Sequence, residues 1–77
     1  MQGDKMTVIN IYYEDHKSHD VTLCIQYGRV DICFNTSCVE VYDNSGEEIY
    51  NICGKIKHKV MQSGLVVIDV YNAEYDF

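Results

Sequence analysis

Strict alternation of apolar and polar residues is the strongest pattern along this chain. Val21, Leu23, Ile25 and Tyr27 alternate with Thr22, Cys24 and Gln26. After Gly28-Arg29 the pattern resumes, with Val30, Ile32 and Phe34 set against Asp31, Cys33 and Asn35. A period of two sends successive side chains to opposite faces, so both segments read as half-buried strands. A link of Gly28-Arg29, with glycine first, suits a type II′ turn and predicts a hairpin. In that register Ile25 faces Ile32, Leu23 faces Phe34, and Cys24 faces Cys33.

The flanking segments extend the same reading. Residues 6–13 form a β-branched and aromatic run whose alternation places Thr7, Ile9, Ile11 and Tyr13 on one face. Residues 14–19 are polar and read as a loop. Asn35-Thr36-Ser37 turns the chain into a short strand, in which Val39 and Val41 share one face and Cys38, Glu40 and Tyr42 the other. Asp43 to Gly46 reads as a further loop. Leu65 to Tyr71 is apolar on both faces, which predicts a central position in a sheet.

Residues 46–62 break the alternation. Ile49, Ile52, Cys53, Ile56 and Val60 recur at spacings of three and four, the period of an amphipathic helix. Ser45 with Glu48 three residues on resembles a capping box, and Lys57, His58 and Lys59 stand where a helix C-terminus favours positive charge. Gly54 opposes a helix interior, and Lys55 to Val60 alternates as a strand would. The boundary signals favour the helix. The expected fold is therefore α+β: an antiparallel sheet of about five strands in the order β-β-β-β-α-β, with one helix packed on a face. Its 77 residues make one small domain, 1–77.

Composition narrows the function. Twelve acids against six bases give a formal charge of −6, which argues against direct binding of nucleic acid or an anionic membrane. Met1-Gln2-Gly3-Asp4 shows no secretory pattern, and the longest aliphatic run, Leu65 to Ile68, is far too short to span a bilayer, so a cytoplasmic setting is expected. In a reducing compartment Cys24, Cys33, Cys38 and Cys53 are expected as free thiols that pack as small hydrophobes.

Candidate chemistry is sparse. No phosphate loop, nucleophile elbow or zinc-protease helix occurs. Cys53 and His58 lie five apart, which on a helix turns them away from each other. An enzyme is not expected, and no cofactor is implied. Asp15, His16, His19 and Asp20, with Cys24, Cys33 and Cys38, offer zinc-type ligands but no Cys-x-x-Cys knuckle, so a small zinc-binding domain is the alternative reading. Lys55, Lys57, His58 and Lys59, near Tyr50, are a weak nucleic-acid signal in an acidic chain.

Seven tyrosines are more than so small a core can bury, and tyrosine is enriched at interfaces. Tyr12, Tyr27 and Tyr42, with the carboxylates Glu40 and Asp31, are the expected partner-binding residues. The expected function is a non-enzymatic protein-binding module that regulates or inhibits a larger protein, one with a basic surface or one that handles nucleic acid. Small acidic inhibitors of host defence from viruses and mobile elements act in this way. A narrower form is a nucleic-acid mimic, and a second copy of the chain, forming a homodimer, is another expected partner.

Overall fold

The computed structural model describes residues 6–13 and 21–74. The chain forms β1 (Thr7–Tyr12), β2 (Val21–Ile25), β3 (Arg29–Cys33), β4 (Cys38–Tyr42), β5 (Glu48–Val60) and β6 (Val66–Glu74). One sheet contains all six, in the order β2-β1-β6-β5-β4-β3. The pair β1–β6 is parallel and the remaining pairs are antiparallel. The described residues contain no helix, so the expected α+β class and the helix over 46–62 are both overturned.

The helical spacing in β5 has a strand-based cause. Tyr50, Ile52, Gly54, Ile56, His58 and Val60 occupy alternate positions, and glycine and histidine interrupt the apolar ones. Isoleucine and valine then recur every fourth residue (52, 56, 60), as they would on a helix. Ile49 completes the false pattern because a bulge displaces it: Val41 pairs with Tyr50 while Tyr42 pairs with Glu48. The capping signals at Ser45 and Glu48 belong to a turn. Asp43 Oδ1 accepts hydrogen bonds from the Ser45 amide at 2.9 Å, the Ser45 hydroxyl at 2.7 Å and the Glu47 amide at 3.0 Å. The Ser45 hydroxyl, then the Glu47 amide, hold the Asp43 carboxyl below its ordinary value.

The predicted β2–β3 hairpin is also absent. Strands β2 and β3 lie at opposite edges of the sheet, with β2 paired to β1 and β3 to β4. Alternation assigns each side chain a face, and those faces are as expected: Val21, Leu23 and Ile25, like Val30 and Ile32, pack against the core. It does not assign a partner strand. Cys24 opposes Val8, and Cys33 opposes Cys38. Gly28, at φ 89°, packs its backbone against the Tyr42 carbonyl oxygen and Asp43, where no side chain fits.

This topology forces the sheet to curl. Only residues 26–28 join β2 to β3, and such a link reaches at most about 14 Å. Six strands laid flat would hold their edges roughly 24 Å apart. The curl turns one face inward. Ile9 and Ile11 (β1), Ile68 and Val70 (β6), Ile52 (β5) and Val39 and Val41 (β4) make one cluster, each with at most 1% of its surface exposed. Each such side chain contributes roughly 1.5–3 kcal/mol on burial.

The bend lies in β5. Residues 48–53 pair with β4, and residues 55–60 pair with β6. Between them Cys53 pairs with Glu74 and Lys55 with Tyr71, so Asn72 and Ala73 on β6 oppose Gly54 alone. Asn72 takes a left-handed φ of 54°, a conformation asparagine tolerates. A Cβ on Gly54 would stand 2.6 Å from the Tyr71 carbonyl oxygen and 2.8 Å from Val70 Cγ1. Gly54→Ala is therefore expected to destabilise the fold by about 1–3 kcal/mol through overpacking. An unchanged denaturant midpoint would show that the bend does not need the missing side chain.

Candidate functional site

The curl leaves an outer face on each half of the sheet, and the two differ in charge. On β3, β4 and the first half of β5 the outward positions form three rows. Arg29 opposes Tyr42, which opposes Glu48; Asp31 opposes Glu40, which opposes Asn51; Cys33 opposes Cys38, which opposes Cys53. The bulge at Ile49 brings Glu48 onto this face, where its Oε2 accepts a hydrogen bond from Asn51 Nδ2 at 3.0 Å.

The first two rows are knit together. Tyr42 donates its hydroxyl to Glu40 Oε1 at 2.8 Å, and Arg29 Nε donates to Asp31 Oδ2 at 2.9 Å. The Arg29 guanidinium also lies over the Tyr42 ring, 4.3 Å from its centroid. Both members of the Arg29–Asp31 pair are well exposed, so the pair contributes at most about 1 kcal/mol. Its role is to hold the side chains in place. The hydrogen bond to Glu40, followed by desolvation, pushes the Tyr42 hydroxyl above its ordinary pKa. Asp31, Glu40 and Glu48 set three carboxylates against one guanidinium, with a tyrosine ring among them.

The other outer face, on β2, β1, β6 and the second half of β5, is mixed in charge. Thr22 Oγ1 donates to Asn10 Oδ1 at 3.1 Å, and Asn10 Nδ2 donates to Asp69 Oδ1 at 3.0 Å. Lys57 opposes Asp69 in the next strand, and its ammonium lies 5.8 Å from the Tyr71 ring centroid. Tyr12 stacks on Tyr71, with ring centroids 4.7 Å apart. Desolvation first, then Asp69 and Tyr71, raise the Tyr12 hydroxyl pKa. Lys57, His58, Lys59, Val67 and Asp69 line a shallow depression of about 250 Å³. Lys55, Lys57 and Lys59 do share an outward stripe of β5, but Asp69 stands among them, and His58 lies against Phe34 at a centroid distance of 5.7 Å.

Of the five residues expected to bind a partner, Asp31, Glu40 and Tyr42 come together. Tyr12 belongs to the other outer face, and Tyr27 is exposed on the link between β2 and β3. Arg29 and Glu48 were missed. The sequence pattern places Arg29 in a turn, and only the bulge turns Glu48 outward.

The cysteines match expectation only in part. None joins the buried core. Cys38 and Cys53 form a disulfide with Cα atoms 4.0 Å apart, while Cys24 and Cys33 are free thiols. Cys24 and Cys33 do not face each other. The strand pairing that removes the hairpin places Cys33 beside Cys38 instead. Among the described residues no three histidine, cysteine or acidic side chains gather as a metal site. The loop holding Asp15, His16, His19 and Asp20 lies outside the described residues. Among the described residues no helix is long and apolar enough to cross a membrane.

No protein-family model matches the chain, and neither a curated protein nor a solved structure shows significant similarity to it. The acidic face therefore stands on its own geometry. Replacing Glu40 with glutamine removes the charge beside the Tyr42 hydroxyl, so the tyrosine should titrate at lower pH, nearer its ordinary value. Site-resolved NMR titration of Tyr42 measures this, and an unmoved midpoint would mean that Glu40 is not its controlling partner.

Proposed function

We propose that this protein is a non-enzymatic binding module that regulates or inhibits a larger protein, occupying a basic surface of its partner with the outer face of β3, β4 and the first half of β5. One observation carries the reading: Asp31, Glu40, Tyr42 and Glu48 share that face in consecutive cross-strand rows, held in place by Arg29 and Asn51. A tyrosine fixed by a hydrogen bond loses little further entropy on binding and offers both an apolar ring and a polar tip. Carboxylates around it would steer a cationic partner and orient it, an effect that weakens as salt rises.

Two features make a binding surface a better reading than a reaction site. The face is an open sheet surface, where a substrate would stay largely hydrated. Its titratable groups are occupied with one another, Tyr42 with Glu40 and Arg29 with Asp31. The nucleic-acid-mimic form of the proposal needs carboxylates at phosphate-like intervals. Asp31, Glu40 and Glu48 supply a short cluster of carboxylates on three adjacent strands, and the net charge of −6 has the right sign.

The test is a set of variants on this face: Asp31→Lys with Glu40→Lys, and separately Tyr42→Ala, each checked for retained strand content by circular dichroism. Binding to the partner recovered from the native host should fall at least about tenfold in each, the scale of a lost interface anchor of ~1.4 kcal/mol or more. The charge variants should also lose the salt dependence of association. Undiminished binding in both variants would remove this face from the interaction.

A further inference from the structure

Three cysteines lie in one line across adjacent strands. Cys33 on β3 opposes Cys38 on β4, and Cys38 opposes Cys53 on β5, all on the outer face. Cys38 and Cys53 are bridged, and Cys33 is a free, partly buried thiol. We propose that this row is a thiol–disulfide relay, in which Cys38 exchanges its bridge between Cys53 and Cys33.

The backbone ladder places both cysteine pairs within Cα reach of a disulfide. The Gly54 amide donates to the Ser37 carbonyl at 3.0 Å, and this bond flanks the Cys38–Cys53 pair. That placement makes Cys38–Cys53 a non-hydrogen-bonded pair, the closer of the two antiparallel types, in keeping with its Cα separation of 4.0 Å. In an inner strand, a residue whose backbone groups do not bond to one neighbour directs both to the other. Cys38 therefore bonds toward β3, and Cys33–Cys38 is the wider, hydrogen-bonded type, with Cα atoms about 5.5 Å apart. That distance lies within the range disulfides span. Cys33 and Cys53 are two strand spacings apart, roughly 9.5 Å, too far to bridge directly. Cys38 is thus the shared partner in either state.

The exchange balances without any outside reagent. The Cys33 thiol gives its proton to Glu40 or to water, and the thiolate attacks Cys38 Sγ. The Cys38–Cys53 bond breaks as the Cys33–Cys38 bond forms, and Cys53 leaves as a thiolate and takes up a proton. One disulfide and one thiol are present before and after. Cys33 and Cys53 flank Cys38 from opposite sides, on β3 and β5, so the attacking and the leaving cysteine stand on different strands. The step moves the cross-link from the β4–β5 pair, next to the Gly54 bend, to the edge strand β3.

The surroundings of Cys33 restrain the relay. Desolvation, the hydrogen bond to Glu40 on β4, and the charges of Glu40, Asp31 on β3 and Glu48 on β5 all raise the thiol pKa. Little thiolate is present near neutrality, so exchange is slow there and accelerates about tenfold per pH unit until the thiol titrates. A cation docked over these carboxylates would favour the thiolate and speed the exchange.

The test uses the full chain with Cys24→Ser, which removes the exposed thiol outside the row. Oxidised, dilute protein is incubated with iodoacetamide from mildly acidic to alkaline pH, and labelled residues are located by peptide mass spectrometry. Label should appear at both Cys33 and Cys53 and never at Cys38, with the Cys53 label forming about tenfold faster per pH unit. Glu40→Gln should accelerate it at neutral pH. Label confined to Cys33 at every pH would overturn the proposal, as would a Cys33–Cys53 bridge. In a second measurement, folded Cys53→Ser protein treated with oxidised glutathione should close a Cys33–Cys38 bridge. Two glutathione adducts in place of the bridge would count equally against it.

Discussion

The structure depends on the continuity of β5. A single strand pairs with β4 along its first half and with β6 along its second, so the two halves of the sheet are the same sheet turned at Gly54. Without that turn, Val39 and Val41 on β4 and Ile9 and Ile11 on β1 would lie three strand spacings apart and face water. With it they share one core. No helix among the described residues covers the sheet, and curling is how this chain shields an apolar face. Backbone hydrogen bonds cross the turn because Asn72 and Ala73 absorb the difference in path length opposite Gly54.

The same turn creates the surfaces on which function is proposed. Residues on one strand are divided between environments: Glu48 and Asn51 lie with Asp31 and Glu40, while Lys55, Lys57 and Lys59 lie with Asp69 and Tyr71. An acidic face and a mixed one are thereby separated by a bend. Electrostatic attraction to a basic partner would be concentrated on the half bearing β3 and β4, where Arg29 is the cation in the rows. The cysteine row lies at the end of that acidic half, so its carboxylates also set the reactivity of Cys33.

Much of this was legible in the sequence, and the failures have identifiable causes. The inward faces of β1, β2, β3 and β4 follow from strict alternation, and the loops at Asn35 and Asp43 follow from turn-forming residues. Strand β5 was misread because Gly54 and His58 hold two of its inward positions, leaving isoleucine and valine at a helical interval. Partner strands were misread because a glycine-led link looks the same whether it closes a hairpin or crosses between the edges of a curled sheet. That second error hid the cysteine row, since Cys33, Cys38 and Cys53 align only once β3, β4 and β5 are known to be neighbours. It left half the acidic face visible: Asp31, Glu40 and Tyr42 were found from alternation, whereas Arg29 and Glu48 needed the register.

The central claim is the curl, because the core, the two outer faces and the cysteine row all follow from it. Methyl–methyl nuclear Overhauser effects measure it directly in a protein labelled at isoleucine and valine. The account predicts cross-peaks linking Ile9, Ile11, Ile68 or Val70 to Val39 or Val41, across strands that are not hydrogen-bonded to each other. Cross-peaks confined to hydrogen-bonded neighbours would mean an open sheet and contradict the account.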